Sequence, residues 1–330
     1  MSRGRCSVLG LVLVASFLVL GPLVVSGFGA ASELIPVYTP PAGGTVYVLG
    51  IGVTAVTNRN LTDMRLVHEA ATGTMDMIRR MMARESQKKP VFALFGSPDG
   101  ARAYRGEGEY AGKPFTALRS VVFLNGSDQY FVVPANSPIK SFADVKGKRL
   151  GIGPAGSTVS TSALFFFQQY GITKNDFKPQ YYTFKEVVEG IQDGSLDGGF
   201  LGGAYPMPSY TEISLTRNVR IVPVEDRIFK QIAADHPYYY RNVIKAGAYK
   251  GLAQDTPVYG FTTVIFTHAG VSDELVYKFL KNLYEHRQDY YAIHSSAAKD
   301  FVAENLLKGL PVPLHPGAER YLKEIGVLKK

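Results

Sequence analysis

The sequence predicts an α/β protein made of two lobes with a ligand cleft between them. The chain has 330 residues, of which 46% are hydrophobic, so it is long and apolar enough to form two domain cores. Apolar runs of strand length alternate with segments of helical periodicity, which is typical of a largely parallel sheet. Two such runs precede a helical C-terminal part, so we expect the chain to build one lobe, cross to a second and return.

This pattern divides the chain into three parts. Residues 1–31 are predicted to be a signal peptide, residues 32–124 with 269–330 to form lobe 1, and residues 125–268 to form lobe 2. Two hinge strands then join the lobes, and loops from both lobes face the cleft. The arrangement suits hinge closure around a small ligand.

The N-terminal segment has the order of charged and apolar residues found in secretory signals. Arg3 and Arg5 precede an apolar stretch over residues 8–25, and small residues follow up to Ala31. Cleavage after Ala31 would give a periplasmic protein and lower the net charge from +8 to +6, whereas an uncleaved segment would anchor the protein in a membrane. Cys6 is the only cysteine, so the mature chain has no thiol for a disulfide, a nucleophile or a metal.

The predicted strands are short apolar runs bounded by glycine, proline, asparagine or serine. They cover residues 64–67, 90–95, 118–124, 129–133, 150–152, 181–184, 196–201, 221–224 and 259–267. Asn125, Gly126 and Ser127 separate the third run from the fourth, which predicts two strands at this point.

The predicted helices begin at residues that cap helix N-termini. Thr74 and Ser272 each precede a segment of helical periodicity, and Thr183 with Glu186 forms a capping box. An earlier helix follows a glycine-rich loop and extends through Val56.

The centre of the second lobe is a strand, a glycine-rich loop and a helix within residues 139–171. The strand stops at Gly153, and Ser157 or Thr158 caps a helix that ends at Gly171. Free backbone N–H groups and the positive end of a helix dipole make such a loop suitable for a carboxylate or a phosphate.

The same loop also matches the dinucleotide fingerprint. Gly151, Gly153 and Gly156 satisfy G-x-G-x-x-G, which would make the protein an exported dinucleotide-dependent oxidoreductase. The fingerprint expects an acidic residue at the end of the next strand, and residues 181–184 provide none; Pro154 inside the turn is a further departure. A small-anion loop, a dinucleotide loop and a purely structural turn are therefore three interpretations of one motif.

Several segments resemble the TAXI family of solute receptors, the extracytoplasmic binding proteins of a branch of TRAP transporters. The most specific segment is GLPVPLHPGA at residues 309–318, supported by those that begin at Ile139, His236 and Ala246. The resemblance covers most of residues 43–324. It implies a two-lobed type II periplasmic-binding-protein fold, a small organic acid or amino acid as the ligand, and delivery to a TRAP transporter permease.

The resemblance carries over unevenly to the ligand loops. Gly44, Thr45 and Tyr47 match the family's first Gly-Thr-x-Tyr loop, and Gly156 with Ser157 matches the third-loop Gly-Ser. The family's second loop usually reads Gln-Ser-Asp, where residues 96–98 read Gly-Ser-Pro, and its third loop commonly continues as Gly-Thr-Glu, where residues 158–160 read Thr-Val-Ser. These departures leave room for a different ligand or for a sensor or interaction partner with a degenerate cleft.

The residues together predict a non-catalytic receptor that closes around a small anionic solute. The candidate ligand-binding residues supply hydroxyls, backbone N–H groups and aromatic walls: Gly44, Thr45, Tyr47, Ser97, Gly156, Ser157, Thr158 and Tyr205. An arginine is expected to meet a carboxylate bidentately, and Arg119 and Arg241 are candidates. No catalytic residue, metal or cofactor is expected, because the six histidines lack metal-binding spacing and no nucleophile motif is present. We expect a monomer with no nucleic-acid partner.

Overall fold

The computed structural model describes residues 34–329, so the predicted signal peptide lies outside the described residues. The strands within this range are β1 Leu34–Thr39, β2 Arg65–Ala70, β3 Phe92–Gly96, β4 Leu118–Pro134, β5 Arg149–Gly151, β6 Lys178–Gln180, β7 Gly198–Gly203, β8 Val219–Val222, β9 Tyr239–Ile244 and β10 Thr256–His268. The α-helices are α1 Thr45–Asn60, α2 Thr74–Ser86, α3 Ser97–Arg105, α4 Thr158–Gln169, α5 Phe184–Asp193, α6 Pro208–Thr216, α7 Asp226–Asp235, α8 Asp273–Glu285, α9 Arg287–Tyr291, α10 Ser295–Asp300 and α11 Pro316–Glu324. None of the described helices has the length and hydropathy needed to span a membrane.

The described strands form one mixed sheet of ten. Its main path runs β2-β1-β3-β10-β4-β7-β5-β6, while β8 pairs with β4 and β9 pairs with β10. The pairs at both ends of the path are parallel, as strands joined by helices require. The central strands β4 and β10 are antiparallel to each other and to their other neighbours.

β4 and β10 belong to both lobes because each is longer than an ordinary strand, at 17 and 13 residues. One part of β10 pairs with β3 and another, residues 256–261, pairs with β9. β4 likewise pairs with β10 through residues 118–129 and with β7 through residues 128–132. The two strands therefore connect a first lobe around β1, β2 and β3 to a second lobe around β5 to β9, which is the predicted two-lobed α/β fold.

Each lobe buries apolar side chains on both faces of its part of the sheet. Phe92 and Phe95 of β3 belong to different hydrophobic clusters. Successive side chains of a strand point to alternate sides, so two residues that are three apart face opposite sides of the sheet. In the second lobe, Tyr130 and Phe131 of β4 separate in the same way. This two-sided burial explains why the strands read as nearly continuous apolar runs.

Several predicted boundaries are wrong, and the longest strand was missed because of pairing between distant segments. Residues 118–133 were predicted as two strands, but Asn125, Gly126 and Ser127 continue the β4 ladder opposite residues 261–263 of β10. A strand predicted at residues 181–184 is replaced by the shorter β6 and the start of α5. β1 and β9 were not predicted.

The helix caps agree with the sequence at three of four positions. Ser157 and Ser272 accept the expected backbone N–H groups, and Thr183 closes its capping box with Glu186. Thr74 was predicted to be a cap, but Gly73 occupies that position and Thr74 is the first residue of α2. The Thr74 hydroxyl is thus available for a contact across the lobes.

Candidate functional site

A cleft lies between the two lobes, with about 710 Å³ of atom-free space of which part is open solvent. Ser127 of β4, with Phe261 and Thr263 of β10, lines it where the two long strands pass between the lobes. The other lining residues come from the ends of strands and the starts of helices in both lobes. Ligands in open α/β sheets bind at this edge, beyond the carboxyl ends of the strands.

Helix N-termini surround the cleft. Thr45, Thr74, Thr158 and Phe184, which are the first residues of α1, α2, α4 and α5, all line it. Gly96, which immediately precedes α3, lines it as well. Because the first N–H groups of a helix have no partner within the helix, this arrangement places partial positive charge around one small volume. Such a volume favours an anion.

Two hydroxyls in the cleft are buried without a hydrogen-bond partner among the described residues. They are Thr45 Oγ1 and Thr263 Oγ1, on residues that are 6% and 0% exposed. Ser127 Oγ accepts a hydrogen bond of 3.0 Å from Gln129 Nε2, which leaves its own hydroxyl hydrogen for another acceptor. A buried polar group without a partner costs about 1–3 kcal/mol, so these groups indicate a ligand that accepts hydrogen bonds.

Charged side chains are absent from the lining of the cleft within residues 34–329. The structure brings neither candidate arginine to the cleft. Arg119 donates to the backbone oxygens of Thr116 and Leu118, and Arg241 pairs with Asp226 at 2.8 Å. An anion bound in the cleft would therefore be held by helix N-termini and hydroxyls instead of a guanidinium.

Beside the cleft, a buried carboxylate of α3 connects the first lobe to α4 of the second. Asp99 Oδ2 accepts a hydrogen bond of 2.6 Å from Thr158 Oγ1, and Asp99 Oδ1 accepts one of 3.1 Å from Thr161 Oγ1. Arg102 pairs with the same carboxylate, so the buried charge is balanced within α3.

The hydroxyl hydrogens of two cleft residues are used in this contact between the lobes. Thr74 Oγ1 lies 3.1 Å from Thr158 Oγ1. Since the Thr158 hydrogen goes to Asp99, which accepts only, the Thr74 hydroxyl is the donor to Thr158. Thr74 and Thr158 therefore offer backbone N–H groups to a ligand, whereas Thr45, Ser127 and Thr263 retain free hydroxyl hydrogens.

Gly96 allows the lobes to approach at this point. A Cβ atom at position 96 would lie 2.4 Å from Thr158 Cγ2 and 2.8 Å from Phe261 Cε2, closer than real Cβ atoms come to any neighbour. Glycine at position 96 thus leaves the space in which the threonine at position 158 packs on the end of β3.

Five of the eight predicted ligand-binding residues line the cleft. They are Gly44, Thr45, Tyr47, Ser157 and Thr158.

The other three predicted residues lie elsewhere. Ser97 Oγ is buried 2.6 Å from Thr262 Oγ1 and donates to the backbone oxygen of Gly309 at 2.9 Å. Gly156 accepts a backbone hydrogen bond from Met75 and does not line the cleft. Tyr205 lines a different cavity, and its ring is exposed.

Sequence reasoning missed several lining residues. Thr74 was interpreted as a cap, Ser127 as part of a turn and Thr263 as an ordinary strand residue, while the aromatic residues Phe184 and Phe261 were not considered. One available indication was that serine and threonine interrupt two long apolar runs, at Ser127 and at Thr263.

The glycine-rich loop between β5 and α4 has two residues in the left-handed region, Gly153 with φ 88° and Gly156 with φ 65°. β6 ends at Gln180, and no described residue that lines the cleft is acidic. The acidic ribose ligand of the dinucleotide fingerprint therefore has no counterpart at this site.

A second cavity, called the back cavity here, lies on the other side of the two long strands and is lined by Gly126, Asp128, Tyr240, Arg241 and Lys308 among others. Gly126 and Asp128 flank Ser127 in β4, so they face away from the cleft. The ring of Tyr240 lies against Gly126 and Gly260.

The carboxylates of the back cavity are paired within the protein. Asp128 accepts hydrogen bonds from Tyr240 Oη at 3.1 Å and Asn242 Nδ2 at 2.9 Å. Asp300 accepts one of 3.0 Å from the backbone N–H of Gly126. Burial raises the pKa of Asp128 to about 6 and also raises the pKa of Asp300.

Comparison with known proteins identifies the family and the fold. Residues 37–326 match the model of the NMT1-like family. Among solved structures, MatC from Rhodopseudomonas palustris with bound malate is 14% identical, with 88% of this chain and 97% of that chain covered and a TM-score of 0.55. XAC2383 from Xanthomonas citri bound to ATP is 13% identical, with 90% and 97% covered and a TM-score of 0.50.

A third similar structure is the periplasmic aliphatic sulphonate binding protein SsuA from Escherichia coli. It is 17% identical, with 89% of this chain and 79% of that chain covered and a TM-score of 0.45. Likeness at these identities concerns the fold, whereas the family match extends over nearly the whole described chain. The chain belongs to the NMT1-like family and has the two-lobed fold of periplasmic binding proteins.

Proposed function

We propose that the protein is an extracytoplasmic solute receptor, which binds a small anionic organic solute in the cleft and delivers it to a TRAP-type membrane permease. The observation that carries this proposal is the convergence of helix N-termini and unpartnered buried hydroxyls on one cleft between two lobes. Each helix N-terminus stabilises a nearby anion by about 0.3–1 kcal/mol, and by up to about 2 kcal/mol where the site is partly buried.

One fold relative supports the broad class of organic acids, without distinguishing one carboxylate from two. MatC, whose TM-score to this chain is 0.55, is bound to malate, an organic acid. The TAXI-like segment at residues 309–318 supports a finer assignment within the NMT1-like family, and with it the TRAP-type partner. In this segment Gly309 accepts hydrogen bonds from Ser97 and Thr262, and His315 Nε2 contacts the backbone oxygen of Val271 at 3.0 Å.

The proposal includes the cell compartment and the division into lobes. Residues 1–31 act as a signal peptide that sends the protein to the periplasm, or hold it at the membrane if they are not cleaved. Residues 32–124 with 269–330 form one lobe and residues 125–268 the other, and the lobes close on the solute by bending at the two long strands. The receptor acts as a monomer and carries out no catalysis.

A thermal-shift screen tests solute binding. The purified chain is unfolded and refolded to remove any bound solute, then heated with organic acids, amino acids, sugar acids and NAD. A solute at 100 times its dissociation constant adds about 2.7 kcal/mol, so we expect its class to raise the melting temperature by about 5 °C or more. A shift with NAD alone would support the oxidoreductase, and no shift with any compound would support an interaction protein.

Reconstitution tests the partner. Vesicles that contain the TRAP-type membrane subunits should accumulate the labelled solute only when this protein is added outside. Accumulation that does not depend on the protein would remove the transport part of the proposal and leave solute binding intact.

A further inference from the structure

We infer that the solute carries a single oxyanion group on an apolar body, and is therefore neither an amino acid nor a dicarboxylate. The inference rests on the proposed function and names the class of solute that this cleft takes. A carboxylate and a sulfonate share the required chemistry, and the experiment below separates them.

Three hydroxyls on different elements line the same cleft and have hydrogens to donate. Thr45 of α1 and Thr263 of β10 are more than nine-tenths buried and have no partner among the described residues. Ser127 of β4 retains its hydroxyl hydrogen as well. Together with the backbone N–H groups at the helix starts, these donors match the lone pairs of one carboxylate or sulfonate.

A second charge on the solute would have no oppositely charged side chain as a partner, and a second carboxylate would have to share the donors that hold the first. No side chain among the described residues of the cleft is ionised to balance an ammonium or another carboxylate, and the nearby Asp99 already pairs with Arg102. A buried charge without a partner is strongly unfavourable. The helix N-termini add a specific penalty against an ammonium group, since their partial charge is also positive.

The rest of the cleft suits an apolar body. Aromatic and aliphatic side chains from both lobes line it: Val46, Tyr47, Phe95, Val159, Phe184 and Phe261. Small polar amino acids and short dicarboxylates would leave this surface uncovered, whereas an aryl or alkyl group would remove it from water.

Calorimetric titration with a matched set of compounds tests the inference. 3-Phenylpropionate and hexanoate carry one carboxylate, 2-phenylethanesulfonate replaces it with a sulfonate, and 3-phenylpropionamide removes the charge. Phenylalanine adds an ammonium group, and phenylsuccinate and malate carry two carboxylates. We expect at least one monoanion to bind, and its amide, ammonium and dicarboxylate counterparts to bind at least about 100-fold more weakly.

Two threonine variants locate the site. T263V removes an unpartnered hydroxyl at nearly constant volume, so it should weaken monoanion binding about 10-fold to 100-fold while the melting temperature of the free protein stays equal or rises. T57V is the matched control, because Thr57 Oγ1 is also buried and unpartnered but lies outside the cleft in α1. T57V should bind the monoanion like the parent protein.

Binding of malate or an amino acid that T263V weakens and T57V does not would overturn the inference and leave the receptor function standing. Equal affinity for a monoanion in T263V and the parent would show that the oxyanion group does not bind at Thr263 and would overturn that part of the inference. Failure of every compound, including the dicarboxylates and amino acids, would overturn the receptor function together with the inference.

Discussion

The cleft and the back cavity lie on opposite sides of β4 and are lined by adjacent residues of that strand, yet they differ in chemistry. Ser127 faces the cleft, where no described side chain is charged and two buried hydroxyls have no partner. Asp128 faces the back cavity, where carboxylates, lysines and an arginine lie together and the carboxylates have partners. The charged cavity is therefore the satisfied one, and the uncharged cleft is the one that lacks partners.

This difference shows that the number of charges is a poor guide to a binding site in this fold. The back cavity uses its polar groups to hold β9 and α10 against the long strands. The cleft keeps hydrogen-bond donors free, and its electrostatic preference comes from backbone dipoles that no residue count reveals. The comparison predicts that substitutions on the two sides affect different measurements.

The largest expected effect follows from adding a carboxylate to the side of β4 that faces the cleft. S127D should weaken solute binding by more than about 100-fold, because the new carboxylate would take the helix N-termini that otherwise receive the solute's anion. Calorimetric titration measures the affinity, and circular dichroism checks the fold. D128N on the opposite side should change the affinity by less than about 2-fold. Normal solute affinity in S127D would mean that the anion binds elsewhere.

Glycines on the two sides should tolerate alanine differently. G260A places a Cβ atom 2.4 Å from Tyr240 Cζ, so we expect a loss of about 1–3 kcal/mol in the free energy of unfolding. G44A places one only 3.6 Å from Phe184 Cε2, so it should cost less than about 1 kcal/mol. Urea denaturation measures both. In a Y240A background the cost of G260A should largely disappear; a cost that persists would place the collision elsewhere.

Stability should depend on pH through the back cavity. Burial raises the pKa of Asp128 to about 6, and Asp300 beside it also raises this pKa while Lys299 lowers it. Because the folded form binds the proton more tightly than the unfolded form, whose carboxyl has a pKa of 3.8, the stability that Asp128 contributes is fully present below about pH 4 and is lost as pH rises through about 6. The slope is about 1.4 kcal/mol per pH unit at most.

Melting temperatures across this window test the assignment. D128N should flatten the decline between pH 4 and 6, whereas D235N at an exposed position should leave it unchanged. An unchanged slope in D128N would assign the pH dependence to another group, such as Asp300.

The smallest expected effect concerns the two arginines that sequence reasoning favoured. R241Q and R119Q should each change solute affinity by less than about 2-fold, since neither side chain lines the cleft. Titration of each variant with the best solute of the screen gives the comparison. A 10-fold loss in either variant would mean that the lobes rearrange to bring that guanidinium to the ligand.

Local patterns predicted the elements that depend on local chemistry. The capping residues Ser157, Thr183 and Ser272 were identified because a cap is decided within four residues of sequence. The continuous strand β4 was not, because Asn125 to Ser127 read as a turn until β10 is known to pair with them. Pairing across more than a hundred residues leaves no local pattern.

The candidate site divides in the same way. Thr45, Tyr47, Ser157 and Thr158 lie at the starts of helices that follow glycine-rich loops, which sequence motifs mark, and they line the cleft. Thr263 lies inside a strand, and whether its side chain reaches the cleft depends on which side of the sheet that position faces. An arginine was expected because carboxylates commonly bind arginine in proteins. The helix N-termini that take its place come together only when the sheet is assembled, so the sequence does not show them.

The tight contact at Gly96 also restricts the order in which positions 96 and 158 can be substituted during evolution. The TAXI pattern that the chain resembles has glutamine at position 96 and glycine at position 158, whereas this chain has glycine and threonine. Because a Cβ atom at position 96 would collide with Thr158 and also with Phe261, a side chain at position 96 and a threonine at position 158 exclude each other unless Phe261 and the backbone shift as well. An ancestor with glycine at both positions is a passable intermediate, and one with side chains at both is not. Among relatives, we therefore expect a side chain at position 96 or at position 158, on one lobe or the other, but not at both.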